Sequence, residues 1–343
     1  MNKVNISQIA QEAGVSVATV SRTFSERQKV SPVTRERILK VAQKYEYSPR
    51  VYQHTTRAGI SGIVGMVVPD LHNQYYMDVI EGAERVLNEQ NIELLICNTN
   101  EDAVKEIRSL SVIRHIHALG VIITPVSSAE RYNVDFITEL NRSGIPVVLL
   151  DRDWQECTLD GVFMQNYQAG YQGTELLIQN GHRNIAIICG PAHSSSAEQR
   201  IAGYKDVMKK YGLEIRDELL IRGDFKVEMA YRQTRRFLET NTDTTAIFSC
   251  NSRMTQGCLM ALAEANLQVG RDIALIGCGR PPAGFEASIT SILYPTQEIG
   301  EKCASMILNR IHSRKSRKAN PVRCLFDLQL KICGSEKYPD SKR

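Results

Sequence analysis

The chain has 343 residues, 43% hydrophobic and 23% charged, with a net charge of +4. That length exceeds one ordinary core and predicts two or three domains, and no apolar run reaches the roughly 18 residues of a membrane span. The N-terminal stretch MNKVNISQIAQEAGV lacks the apolar centre of a signal peptide, so a cytoplasmic protein with no membrane partner is expected.

The charge is uneven. Residues 1–60 hold ten Lys/Arg against four Asp/Glu, net +6, which leaves −2 for the remainder. A basic module on a slightly acidic body is what phosphate binding needs. Within that module Asn5 and Gln8 form a capping box, and Ile6, Ile9, Ala10 and Ala13 fall on one helical face. Gly14 ends this helix. Ser16 caps a second, whose Val17, Val20 and Phe24 make an inner stripe while Ala18, Thr19, Ser21 and Arg22 project. Ser31 and Pro32 start a third, with Ile38, Val41, Ala42 and Tyr45 inward and Arg35, Arg37, Lys40 and Lys44 largely outward. Three short helices with a glycine turn match a helix-turn-helix. The second is short, small-sided and tipped with Arg22, which suits the major groove of double-stranded DNA.

The stretch NISQIAQEAGVSVATVSRTFSERQKVSPVTRERILKVAQKYEYSP resembles the DNA-binding headpiece of the lactose-repressor/galactose-repressor (LacI/GalR) family. The resemblance implies that Val17 and Ala18 occupy base-reading positions, Arg22 a further base or phosphate contact, and Ser16, Thr19 and Ser21 phosphate contacts. Ser25 stands where the family has Asn. The family's next segment, Pro-Asn-x-x-Ala-Arg-x-Leu, becomes a hinge helix on DNA; here it reads PRVYQHTT, with Arg50, Gln53, His54 and Thr56 at the departing positions. Thr56 offers no apolar wedge for the minor groove, whereas Arg50, His54 and Arg57 remain as phosphate contacts. A headpiece over 1–46 and a linker over 47–60, either solvated or ordered by DNA, are expected.

From residue 61 short apolar runs alternate with longer amphipathic ones: IVGMVVP, IELLICN, LGVIIT, IPVVLLD, then NIAIICG, TAIFSC and IALIGC. This βαβ rhythm predicts parallel sheets covered on both faces, with length for two sheets and a cleft between them. The resemblance continues through VPDLHNQYYMDVIEGAERVLNEQNIELLICNTNED, NGHRNIAIICGP and EQRIAGYKDVMKKYGL. It implies a periplasmic-binding-protein-like body over 61–343, two α/β subdomains with chain crossings near 160, 292 and 322, a homodimer and a small-molecule effector. Position by position it places Tyr75, Tyr76, Arg200, Phe225 and Asn251 in the effector cleft. Gly279, followed by Arg280, stands where the family has the Asp that accepts sugar hydroxyls. Ser252 also replaces an Asp, so an anionic effector such as a sugar acid or sugar phosphate is expected beside Arg280 and Arg200.

Nothing assembles an enzyme. The nine Cys form no C-x-x-C pair, the seven His show no ligand spacing, and neither G-x-G-x-x-G nor a P-loop occurs. No catalytic residue, cofactor or metal is expected. The reading is a DNA-binding, effector-modulated transcriptional regulator, a repressor by the family's habit and associated with the nucleoid. A regulator controlled by a protein partner and a stand-alone small-ligand receptor remain open beside it.

Overall fold

The computed structural model describes residues 5–25, 30–45, 62–127, 131–154, 157–240, 243–312 and 320–337. The chain divides into a unit ending at Gly62 and a unit beginning at Ile63. In the first, α1 (Ile6–Glu12), α2 (Val17–Ser25) and α3 (Pro32–Lys44) surround a core of Ile9, Ala10, Ala13, Val20 and Ile38. The expected caps are present: Asn5 and Gln8 close a reciprocal box, Ser16 Oγ accepts from Thr19 N–H (3.1 Å), and Ser31 Oγ accepts from Thr34 N–H (3.2 Å). Gly14 at φ +64° supplies the left-handed turn between α1 and α2. Tyr45, expected inward, is exposed; it is the C-cap of α3, past the last turn that can pack.

The second unit contains two six-stranded sheets. The first lobe is built from β1 (Ile63–Val68), α4 (Gln74–Asn88), β2 (Glu93–Asn98), α5 (Ala103–His115), β3 (Gly120–Ile123), α6 (Arg131–Arg142), β4 (Val147–Leu150) and β5 (Asp160–Met164). The second contains α7 (Asn166–Gln179), β6 (Ile185–Cys189), α8 (Ser195–Lys210), β7 (Leu220–Arg222), α9 (Val227–Thr240), β8 (Ala246–Ser249), α10 (Ser252–Glu264), β9 (Ala274–Cys278) and β10 (Thr290–Leu293). The chain then returns through α11 (Thr296–His312) and β11 (Arg323–Phe326) to the first sheet, and ends with β12 (Gln329–Lys331) in the second. Strand orders are β11-β5-β4-β3-β1-β2 and β12-β10-β9-β8-β6-β7. All pairings are parallel except β12 with β10.

The chain leaves its sheets after Met164, Leu293 and Phe326, where β5, β10 and β11 end. Two crossing segments are tied together: Gln165 Nε2 donates to Asp327 Oδ1 at 2.5 Å. Central strands are buried on both faces, as in β4, where Val147, Val148, Leu149 and Leu150 are all 1% exposed or less. The covering helices approach one another through glycine. A Cβ on Gly82 of α4 would lie 2.1 Å from the Gln297 carbonyl oxygen at the start of α11, and one on Gly300 would lie 2.0 Å from that of Val79.

Candidate functional site

The headpiece presents the projecting face that helical spacing predicts, with Val17 added to it and Thr19 partly withdrawn. Ser16, Val17, Ala18, Ser21 and Arg22 are exposed and Thr19 is half-buried. Val17 leaves the inner stripe: it is 43% exposed, while Val20 (0%) and Thr23 (2%) turn to the interior; the side chain of Phe24 lies outside the described residues. The result is a short helix whose exposed side is small, hydroxylated and tipped by a guanidinium, a shape that allows side chains to reach base edges. Arg50, His54, Thr56 and Arg57 lie outside the described residues.

In the body, a cleft of about 440 Å³ opens between the C-terminal ends of strands from both sheets, where open α/β sheets bind ligands. Of the described non-glycine residues with positive φ, Asn100, Glu101, Asp151, Asp224 and Phe225 all line it. Strained backbone concentrates where the fold holds side chains for binding.

Arg200, from α8, is 6% exposed and donates to the Cys250 carbonyl (2.7 Å) and to Asn166 Oδ1 (2.7 Å). Among the described residues its Nε is buried without a hydrogen-bond partner. Burial works against its charge, and Cys278, Tyr294 and Asp151 outweigh that, so the guanidinium stays cationic with its pKa above the ordinary arginine value. Asn166 also donates to Asp151, weakly, at 3.4 Å. A buried cation and a carboxylate therefore share one asparagine on the cleft floor.

The aromatic walls follow. Tyr75 and Tyr76, in the first turn of α4, meet edge to face at 4.9 Å. Tyr76 is core, 4% exposed; among the described residues the Tyr75 hydroxyl is buried without a hydrogen-bond partner, and burial pushes its pKa well up. Phe225 rests on Gly190, where a Cβ would come within 2.2 Å of the ring, and lies 5.5 Å from the Arg152 guanidinium. Asn251 caps α10, its Oδ1 accepting from Met254 N–H at 2.8 Å, so half of its amide serves the fold.

Gly279 has φ +90° and Arg280 reaches Asp78 Oδ2 at 3.3 Å. The free cation expected at Arg280 is therefore an ion pair. Two more cleft arginines show the same pattern: Arg152 grips both oxygens of Glu101 (2.6 and 2.8 Å), and Arg253 Nε lies 3.4 Å from Asp70 Oδ2. The other lining residues of opposite charge are Asp151, Asp224 and Glu228 against Arg200 and Lys226. The cleft has no surplus of positive charge. Asp151, Glu101, Arg152, Asp78 and Arg253 were not singled out by sequence; the polar DRD that closes IPVVLLDRD, at a strand's C-terminal end, was the available signal for two of them.

The fold has counterparts among known proteins. The family of bacterial regulatory proteins, lacI family, matches residues 5–50, and the family of periplasmic binding proteins and sugar binding domain of LacI family matches residues 61–326. The HTH-type transcriptional regulator RegA of Clostridium saccharobutylicum is 29% identical over 322 residues, 93% of this chain and 96% of that protein. A transcriptional regulator CelR–cellobiose complex superposes with a TM-score of 0.72 at 24% identity, covering 97% of this chain and 99% of the other. The lac repressor dimer bound to operator and an anti-inducer superposes at 0.73 with 19% identity, covering 98% and 100%. The described residues contain no helix long and apolar enough to cross a membrane. With a helix-turn-helix unit, a two-lobed body and both family matches over the corresponding segments, the chain belongs to the LacI family of bacterial transcriptional regulators.

Proposed function

We propose that this regulator binds a pseudo-palindromic operator as a homodimer, reading bases through Val17, Ala18 and Arg22, and that a small molecule in the body's cleft sets its operator affinity. The exposed face of α2 supports the first part: Arg22 offers a planar donor fork, and Val17 and Ala18 offer apolar surface for a thymine methyl. Ser16, Thr19 and Ser21 stand beside them as hydroxyl donors to phosphate. Effector control would follow from linkage: a ligand that prefers one closure state of the lobes shifts operator affinity by the same free energy.

For the effector itself, the observation that carries the reading is the pairing of the arginines. An anion drawn to Arg280 or Arg253 would have to displace Asp78 or Asp70, and one drawn to Arg200 would meet Asp151 on the shared Asn166. A neutral molecule rich in hydroxyl or amide groups meets a donor at Arg200 Nε, an acceptor at Asp151 and the rings of Phe225 and Tyr75. We therefore assign a neutral polar effector of sugar or nucleobase size in place of the anionic one. Calorimetric titration of the full chain with neutral sugars and nucleobases, against sugar acids and sugar phosphates, tests this. Saturable binding of a neutral compound that weakens in Arg200→Ala is expected, and tight binding of a phosphate compound alone would overturn it.

A further inference from the structure

Three contacts join the lobes along one rim of the cleft. The loop after β1 and the first turns of α4 supply Asp70, Asn73 and Asp78; the opposite lobe supplies Ser252 and Arg253 after β8, and Arg280 after β9. Ser252 Oγ donates to Asn73 Oδ1 at 3.4 Å, Arg253 Nε lies 3.4 Å from Asp70, and Arg280 Nη2 lies 3.3 Å from Asp78. Asp78 is 7% exposed and also accepts from Gln74 (2.7 Å) and from Thr296 (3.2 Å), at the start of α11 just past the second crossing. These bonds fix its carboxylate toward the Arg280 loop. Gly279, at φ +90° with a hypothetical Cβ no closer than 3.7 Å to any neighbour, turns that loop so that the next residue projects across the rim.

We infer that Arg253–Asp70 and Arg280–Asp78 form an ion-pair latch that holds the cleft closed without a ligand, so that closure and its regulatory output are set partly by the chain's own charges. The inference rests on the effector-cleft reading for its regulatory meaning, but closure itself is independent of which ligand binds. Family resemblance places acids at positions 252 and 279, the second accepting sugar hydroxyls; here the adjoining positions carry arginines that bind the other lobe. Opening strips two carboxylates of their cations, one of them buried. Because Arg280 is 60% exposed, its side of the latch is screened by salt. Each pair shifts the closed-to-open ratio by up to about fivefold.

The chain carries its own reporter. Trp154 is the only tryptophan; it follows Asp153, whose backbone N–H donates to Ser195 Oγ of the opposite lobe at 3.0 Å. The test records Trp154 emission and the small-angle scattering radius of gyration of the full chain, without DNA or effector, in about 0.1 M and about 1 M KCl. The latch predicts a larger radius and a shifted emission in Arg253→Gln/Arg280→Gln at low salt, a wild type that moves toward the same values at high salt, and retention of the closed values in Arg280→Lys. Arg280→Gln alone, at an exposed side chain, gives a smaller shift in the same direction and secures the test if the double variant is poorly folded. Wild-type scattering and emission in Arg280→Gln at low salt would overturn the latch. Failure of every candidate effector to bind would refute the effector reading while leaving this measurement unaffected.

Discussion

Val17 lies on the stripe that helical spacing assigns to the interior of α2, yet it is exposed, and Thr23 is buried instead with its hydroxyl bonded to the Thr19 carbonyl at 2.9 Å. A single exposed valine costs little, and here it adds apolar surface beside Arg22. Replacing Arg22 with Ala should lower affinity for the specific operator by about 1–3 kcal/mol while leaving thermal unfolding unchanged, since the side chain is exposed; fluorescence anisotropy and a melting curve check both halves. Gly279→Asp restores the family's residue but puts a side chain at φ +90°. It should destabilise the body by about 1–2 kcal/mol in urea unfolding. At this scale the sequence exposed part of the site. Tyr75, Arg200 and Phe225 were readable by position in familiar segments, and all three line the cleft. Glu101 and Arg152 were not, because they meet only when two loops 51 residues apart converge.

Among the elements, most central strands were legible and most peripheral ones were not. Seven apolar runs became β1, β2, β3, β4, β6, β8 and β9, whereas β5, β7, β10, β11 and β12 carried no such signal. For β11 and β12 the reason is exposure, since both alternate exposed and half-buried residues and neither needs a continuous apolar run, whereas β5 and β10 are flanked and largely buried but their short runs, DGVFM and TSIL, mix polar with apolar residues. β2 shows the converse, an apolar run on a sheet edge where Ile96 is 40% exposed. Helix pairing was also silent, since it depends on which glycines face each other. Gly82→Ala should force α4 and α11 apart and destabilise the body by about 1–3 kcal/mol, read as a fall in the urea midpoint with an unchanged slope. An unchanged midpoint would show that the two helices can shift without loss.

For the whole molecule, the body's stability should depend on pH through His182. Its ring is buried, Nδ1 beside Thr245 Oγ1 (2.9 Å) and Nε2 beside the Glu336 carbonyl (3.2 Å), and burial lowers its pKa below 6.5. The unfolded chain thus binds a proton that the folded chain resists, so the contribution is complete above about 6.5 and is lost as pH falls through the depressed value. His182→Gln should flatten the slope of unfolding free energy between neutral and mildly acidic pH. The two-unit organisation and the basic N-terminal module were legible from charge and rhythm, while the internal pairing of the cleft arginines required the assembled lobes. Operator recognition joins these features, and selection from random duplex DNA by the purified full chain tests it most directly. Enrichment of an inverted repeat with half-sites about one helical turn apart, abolished by Arg22→Ala, is the predicted result. Recovery of no repeat, or of a single asymmetric site indifferent to Arg22→Ala, would contradict it.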